Sequence, residues 1–259
     1  MKSFIKKIAN SSLGIELRNT FSFRKVSHSM PNNHNKSLSV SDCFLWRTDN
    51  GYKTKFKFAD FLKLFYKINN TWVEVHFYSK DNKFIKKIKI ENLNLSNEIE
   101  ITSQFLNNIE DYGLFYIFHH AEEKSKIDRD ISVVNRCYVG YSQNNNLYSF
   151  VHGNVWAKSK SIYSSNFNST DIIKTSMIKN CYYNIQKYFE DYDKTELFFA
   201  NPTTKKIKFN IKKDKFILEP NCVNLIERND AVISIKSNCT FLRPTIFSYK
   251  GQFVDAHHS

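Results

Sequence analysis

Alternation of apolar and polar side chains with a period of two recurs along much of this chain. Tyr52 to Phe58 reads YKTKFKF, Phe84 to Ile90 reads FIKKIKI, and Val232 to Ser237 reads VISIKS. Successive residues of an extended strand point to opposite faces, so YKTKFKF turns Tyr, Thr and Phe to one side and Lys to the other, and the other two runs sort in part. A helix cannot sort such a pattern onto one face, and a half-buried strand can. The runs are separated by Asn, Asp, Gly and Pro positions, a spacing that resembles an antiparallel sandwich. The fold class read from this is mostly β, built of antiparallel β-sandwich modules, with an immunoglobulin-like arrangement among the options.

Several local elements follow. CFLWRT and YKTKFKF flank DNG and predict a hairpin around Asn50-Gly51. TWVEVHFYS and KFIKKIKI flank KDN as a second hairpin, ITSQFLNNI predicts a short helical turn, and YGLFYIFHH predicts an aromatic strand bounded by Gly113. Ile173, Met177, Cys181, Ile185, Tyr188 and Tyr192 recur at intervals of three or four, with Ser169 or Thr170 as a cap and Asp171 in the first turn. That predicts an amphipathic helix over about 170–191. Beyond Thr195 the chain returns to strands, ending in QFVDAHH. The organisation expected is an N-terminal segment and polar linker over 1–40, a first β-rich module over 41–165, a helical connector over 166–194 and a second β-rich module over 195–259. FLWRTDNGYKTKFKF (44–58) aligns without gaps on LFFANPTTKKIKFNI (197–211), sharing Lys53/Lys206, Lys55/Lys208 and Phe56/Phe209. This is a faint sign of either duplication or one local design used twice.

The net charge of +13 and pI of about 9.4 point toward an anionic partner. A chain rich in Lys, Asn, Phe, Ile and Tyr, and poor in Gly and Pro, is also what an AT-rich genome encodes, and the lysines are scattered through strands rather than clustered. Nucleic-acid binding is therefore a secondary expectation. Five cysteines, with no CxxC, argue against a disulfide framework or zinc ribbon and for a cytoplasmic setting. The N-terminus lacks a continuous apolar core of the signal-peptide kind, and no run of the chain has the apolar length to span a bilayer. Phe4, Ile5, Ile8, Leu13 and Ile15 beside Lys2, Lys6 and Lys7 suit a partner-docking or frayed leader better than a membrane-surface anchor. Oligomeric state is not readable.

Chemistry concentrates in NRCYVGYSQNNNLYSFVHGNVW, residues 135 to 156. With Gln143 to Asn146 as a four-residue loop, Cys137 faces His152, and a thiol beside an imidazole suits a nucleophile. Both equally suit a core face with Val139, Tyr141, Tyr148 and Phe150. At the strand end, Gly153 permits a close backbone approach, Asn154 can bind a hydroxyl, Trp156 can stack on a ring, and Arg136 can hold a carboxylate or phosphate. Arg136, Tyr138, His152, Asn154 and Trp156 form the expected ligand set. At the C-terminus, Asp255 and His257 share a strand face while His258 points away. Asp255 and His257, with His152 or with His119 or His120, are the candidate ligands of a divalent metal, although no cofactor is required. Arg47 and Arg243 stand out because arginine is rare here; internal ion pairs, such as Arg243 with Asp255, are the expected use. HExxH, P-loop, GxGxxG and GxSxG signatures are missing. The leading expectation is a non-enzymatic binding or accessory protein for a polar or anionic ligand, such as a glycan or glycan precursor. A His/Cys- or metal-dependent enzyme using His152 with Cys137, Asp255 or His257 is the alternative.

Overall fold

The structure, a computed structural model, describes residues 37–122, 131–135, 137–163, 168–173, 175, 180–186, 192–230, 232–239 and 242–258, with isolated positions before residue 18. In the N-terminal segment Ile5, Ile8 and Leu13 are described and exposed. Phe4, Ile15, the neighbouring lysines and most of the 20–40 loop lie outside the described residues.

Among the described residues, twenty strands form five four-stranded sheets. In the first module, one sheet contains β2 (Phe44–Arg47), β7 (Tyr112–Ala121), β4 (Thr71–Ser79) and β5 (Phe84–Ile90). A second contains β10 (Ser149–His152), β9 (Tyr138–Gln143), β3 (Tyr52–Ala59) and β6 (Ser96–Ile101). A third contains β12 (Thr170–Asp171), β11 (Trp156–Ser161), β1 (Leu38–Asp42) and β8 (Ser132–Asn135). The second module has β18 (Val232–Ser237), β15 (Ile207–Ile211) and β16 (Asp214–Leu218) in one sheet, joined there by β13 (Cys181–Gln186) from the segment expected as a connector. Its other sheet contains β17 (Val223–Glu227), β14 (Lys194–Ala200), β19 (Thr245–Lys250) and β20 (Phe253–His258). Among the described residues every ladder is antiparallel except that of β1 with β8. The architecture is mostly β, as the alternation predicts, with sheets packed face to face and no closed barrel.

In β3 the alternation is realised residue by residue. Tyr52, Thr54, Phe56 and Phe58 are buried, while Lys53, Lys55 and Lys57 face outward. The Asp49–Tyr52 turn also forms, with Asn50 and Gly51 at positive φ and a 2.9 Å bond from Tyr52 N to Asp49 O. It does not close a hairpin: β2 ladders onto β7, while β3 pairs with β6 and β9 in the facing sheet. The echoing segment does the same, since β14 and β15 also lie in different sheets. The shared pattern encodes a crossing between layers, with Phe56 and Phe209 both buried.

The helix expected over 170–191 is corrected. Thr170–Asp171 pairs with β11, and Cys181–Gln186 pairs with β18 along its whole length. Ile173, Cys181 and Ile185 are separated by multiples of four, and four is also a multiple of two. A spacing that suits one helix face therefore suits one strand face equally well. Cys181, Tyr182 and Tyr183 add strand preference, and Tyr182 points out, exposed, between them. Met177 and Tyr188 lie outside the described residues. An α-helix, α1 (Phe61–Tyr66), is capped by Asp60, whose carboxylate accepts from Lys63 N. The expected helical turn in ITSQFLNNI is a 3-10 turn, Gln104–Leu106.

One apolar cluster runs through both modules, from Phe44, Phe56 and Phe115 to Phe198, Phe209 and Phe247. β1 continues β2 past Cys43 but leaves the β7 ladder to pair with β11 and β8. The amides of Ile117 and His119 then bond to the hydroxyls of Ser41 and Ser39 at 2.9 and 2.8 Å. Serine oxygens thereby replace backbone carbonyls, so no buried N–H there is left unmet.

Candidate ligand site at the seam of the two modules

The β9–β10 hairpin sets the site. Its register pairs Tyr141 with Ser149, Gly140 with Phe150, Val139 with Val151 and Tyr138 with His152. This differs by one residue from the register expected, because Asn144 and Asn145 take positive φ and the connection extends to Tyr148. A one-residue slip moves side chains to the other face. Cys137 is therefore not opposite His152. The thiol lies in the core, where burial pushes its pKa well above the ordinary value, while His152 is exposed. The proposed Cys137–His152 dyad does not form.

The slip places Tyr138, Phe150 and His152 together on the outer face of their sheet. Across the strands run two rows: Glu98–Lys57–Tyr138–His152 and Glu100–Lys55–Gly140–Phe150. Tyr138 is 57% exposed and Phe150 is 39% exposed. Gly140 has a steric reason: a Cβ there would meet Phe150 Cε1 at 2.5 Å, so glycine lets the ring lie over the backbone. Lys55 and Lys57 stand over the Tyr148 and Phe150 rings at 4.7 and 4.9 Å, and both bond to Glu98, at 2.9 and 3.5 Å.

At the end of β10 the chain crosses to β1. Gly153 N donates to Cys137 O and Asn154 N to Cys43 O. A Cβ on Gly153 would collide with the Asp42 side chain and with Phe44, so this is the close approach that the glycine anticipates. The crossing brings the first module against the second. Asn154 Nδ2 donates to Arg243 O. Asn154 Oδ1 is buried and accepts no hydrogen bond from the described residues. His152 Nδ1 lies 2.9 Å from His258 Nε2 and 3.1 Å from Gly153 O. Ser149 Oγ accepts from Ala256 N at 2.9 Å and donates to Asp255 Oδ1 at 3.2 Å. Asp255 Oδ2 in turn bonds to His257 Nδ1 at 3.1 Å, and this bond leads in holding the carboxyl below its usual pKa.

Asp255 and His257 share a face as the sequence implies, but the ring that reaches His152 is His258. Among the described residues no three His, Cys, Asp or Glu side chains converge in a metal-binding group. His119 and His120 are far from forming one with His152. They are buried on opposite faces of β7, bonded to Ala59 O and Ile162 O at 2.9 and 3.0 Å. Trp156 is half-buried on β11 opposite Asp42, and Arg136 lies outside the described residues. Phe150, Ser149 and His258 join the site without having been singled out, and Arg243 enters through its carbonyl. Strand phase identifies Phe150 and His258 only once the register is known.

Two further polar clusters are sealed. Glu74 receives Lys160 Nζ at 2.7 Å, His76 Nε2 at 3.1 Å and Lys87 Nζ at 3.2 Å, and these partners outweigh desolvation to bring its pKa down to about 2. Burial holds His120 to about 4, so its ring, 3.7 Å from Glu74, is neutral and no ion pair forms. Arg47 bonds Asp49 at 2.7 Å, Glu196 at 2.7 Å and Tyr249 Oη at 2.8 Å. The first cluster fastens β11 to its neighbouring sheet, and the second joins the two modules. No helix among the described residues is long and apolar enough to cross a membrane.

The chain matches no protein-family model, and a search of curated proteins finds no significant relative.

Proposed function

We propose that this chain is a non-enzymatic binding or accessory protein whose ligand is a glycan or glycan precursor carrying an anionic group. The carrying observation is the solvent-facing pair Tyr138 and Phe150 on the outer face of their sheet, ending at the His152–His258 contact. Exposed aromatic faces on a rigid sheet suit the apolar face of a sugar ring. The imidazole pair suits a carboxylate or phosphate. The two lysines nearest the rings are already paired with Glu98, which favours a sparsely charged glycan over a polyphosphate chain.

Titration calorimetry with a glucuronate-containing tetrasaccharide, and with glucose 1-phosphate, tests the reading. Binding of at least one is expected, weakened about tenfold, or roughly 1.4 kcal/mol, by Tyr138→Ala and by His152→Ala. Affinity unchanged from the unmutated chain in both variants, or binding only to single-stranded DNA with a steep salt dependence, contradicts it.

A further inference from the structure

Three residues before His152, on the far side of Ser149, a groove of about 230 Å³ opens between the β9–β10 connection and the β19–β20 turn. Gln143, Asn146, Tyr148 and Ser149 line it from the first module, Gln252 and Phe253 from the second. Asn146 Nδ2 donates to Gln252 O at 2.8 Å and ties the two walls together. The volume corresponds to about eight waters at roughly 30 Å³ each. It falls below the roughly 300–1,000 Å³ of drug-sized pockets, so one small ring fills it.

The hydrogen-bonding sense of the lining is one-sided. Gln143 Nε2 donates to Asn50 O at 3.1 Å, and Asn146 Nδ2 to Gln252 O. A carbonyl only accepts, so these partners fix both amide orientations and leave the two side-chain oxygens as acceptors. The Tyr148 hydroxyl donates to Glu100 Oε1 at 2.9 Å, and the Ser149 hydroxyl to Asp255. Four of the six side-chain donors of these residues are thus committed within the protein, one N–H of each amide remaining, and among the described residues no Lys or Arg lines the groove. An anion needs donors and a cation nearby, so it fits poorly. A ligand that brings its own hydroxyl donors fits, and Phe253, 65% exposed, supplies an aromatic face for its C–H surface.

We infer that this groove is a subsite for one neutral, hydroxyl-bearing sugar ring. The inference rests on the glycan reading and deepens it: the anionic group sits at the His152 end of β10 and a neutral ring lies about 10 Å away, three strand residues at roughly 3.4 Å each.

The test follows side-chain amide signals in two-dimensional NMR of the full chain while D-glucose, D-galactose, D-mannose or N-acetyl-D-glucosamine is added. At least one sugar is expected to give saturable shifts at Gln143, Asn146 and Gln252. Phe253→Ala should weaken that binding at least tenfold with the remaining spectrum unchanged, whereas Tyr138→Ala should leave it intact. No saturable shift with any of the four sugars overturns the inference, as does unchanged binding in Phe253→Ala. The two readings separate cleanly. Glucuronate-tetrasaccharide binding without groove shifts sinks the subsite alone. Groove shifts without any anionic ligand binding support the subsite and remove the anionic site.

Discussion

The Arg47 guanidinium lies 4.0 Å from the Tyr52 ring centroid and within 5.3 Å of those of Phe198 and Phe247. Its nitrogens meet Asp49 on one side and Glu196 and Tyr249 on the other, and Tyr52 Oη donates to Tyr249 Oη at 2.8 Å. Only a planar fork reaches both carboxylates and stacks on rings at once. Replacing it by Met leaves Glu196 buried with Lys194 as its remaining cation. Arg47→Met is expected to cost about 3–5 kcal/mol in urea unfolding, the range for breaking a buried pair by deleting one partner. Arg47→Lys should recover little of it, because an ammonium cannot bridge both carboxylates. A loss below about 1 kcal/mol for Arg47→Met would show the contact to be incidental. The rarity of arginine marks Arg47 in the sequence. Its partner Glu196 stands 149 positions away, and nothing local announces that distance.

At the scale of elements, strands were legible wherever burial is one-sided. β3 sorts Lys from aromatic side chains by period, and the β4–β5 hairpin around KDN forms as read. Two failures share one cause. The 170–191 segment and the β9–β10 register both turn on phase, which a period of four or a run of three asparagines leaves undetermined. Neighbouring sheets and the turn conformation of Asn144 and Asn145 decide it. β4 and β7 pose a different case, being buried on both faces, so Glu74, His76, His119 and His120 sit inside. Their titration makes stability depend on pH. Burial lowers His119 and His120 from 6.5 to about 4, so between those values the unfolded chain holds more protons and stability falls as pH falls. Glu74, lowered from 4.5 to about 2, adds a loss of the same sign at lower pH. The unfolding free energy measured in urea should therefore be lower at pH 5 than at pH 7, by up to roughly 2 kcal/mol per histidine. Replacing His120 by Gln should flatten that dependence. A pH-independent unfolding free energy over this range would contradict the neutral, buried assignment of both rings.

In the whole molecule, the described sheets share one apolar cluster, and β10 lies beside β20. The mostly β class, the separate positions of His152, Asn154 and Asp255, and the use of Gly153 could be read from sequence, because each depends on neighbours a few residues away. The site itself could not, because His152 and His258 are 106 positions apart and meet only when both modules are folded and joined. Its central claim is that ligand binding uses both modules at once. Hydrogen–deuterium exchange of the full chain with and without the glucuronate tetrasaccharide tests this most directly. Slowed exchange is predicted in 138–154 and in 253–258 together, with the outward lysine edge of β5 unchanged. Protection confined to one module, or centred on β5, would contradict it.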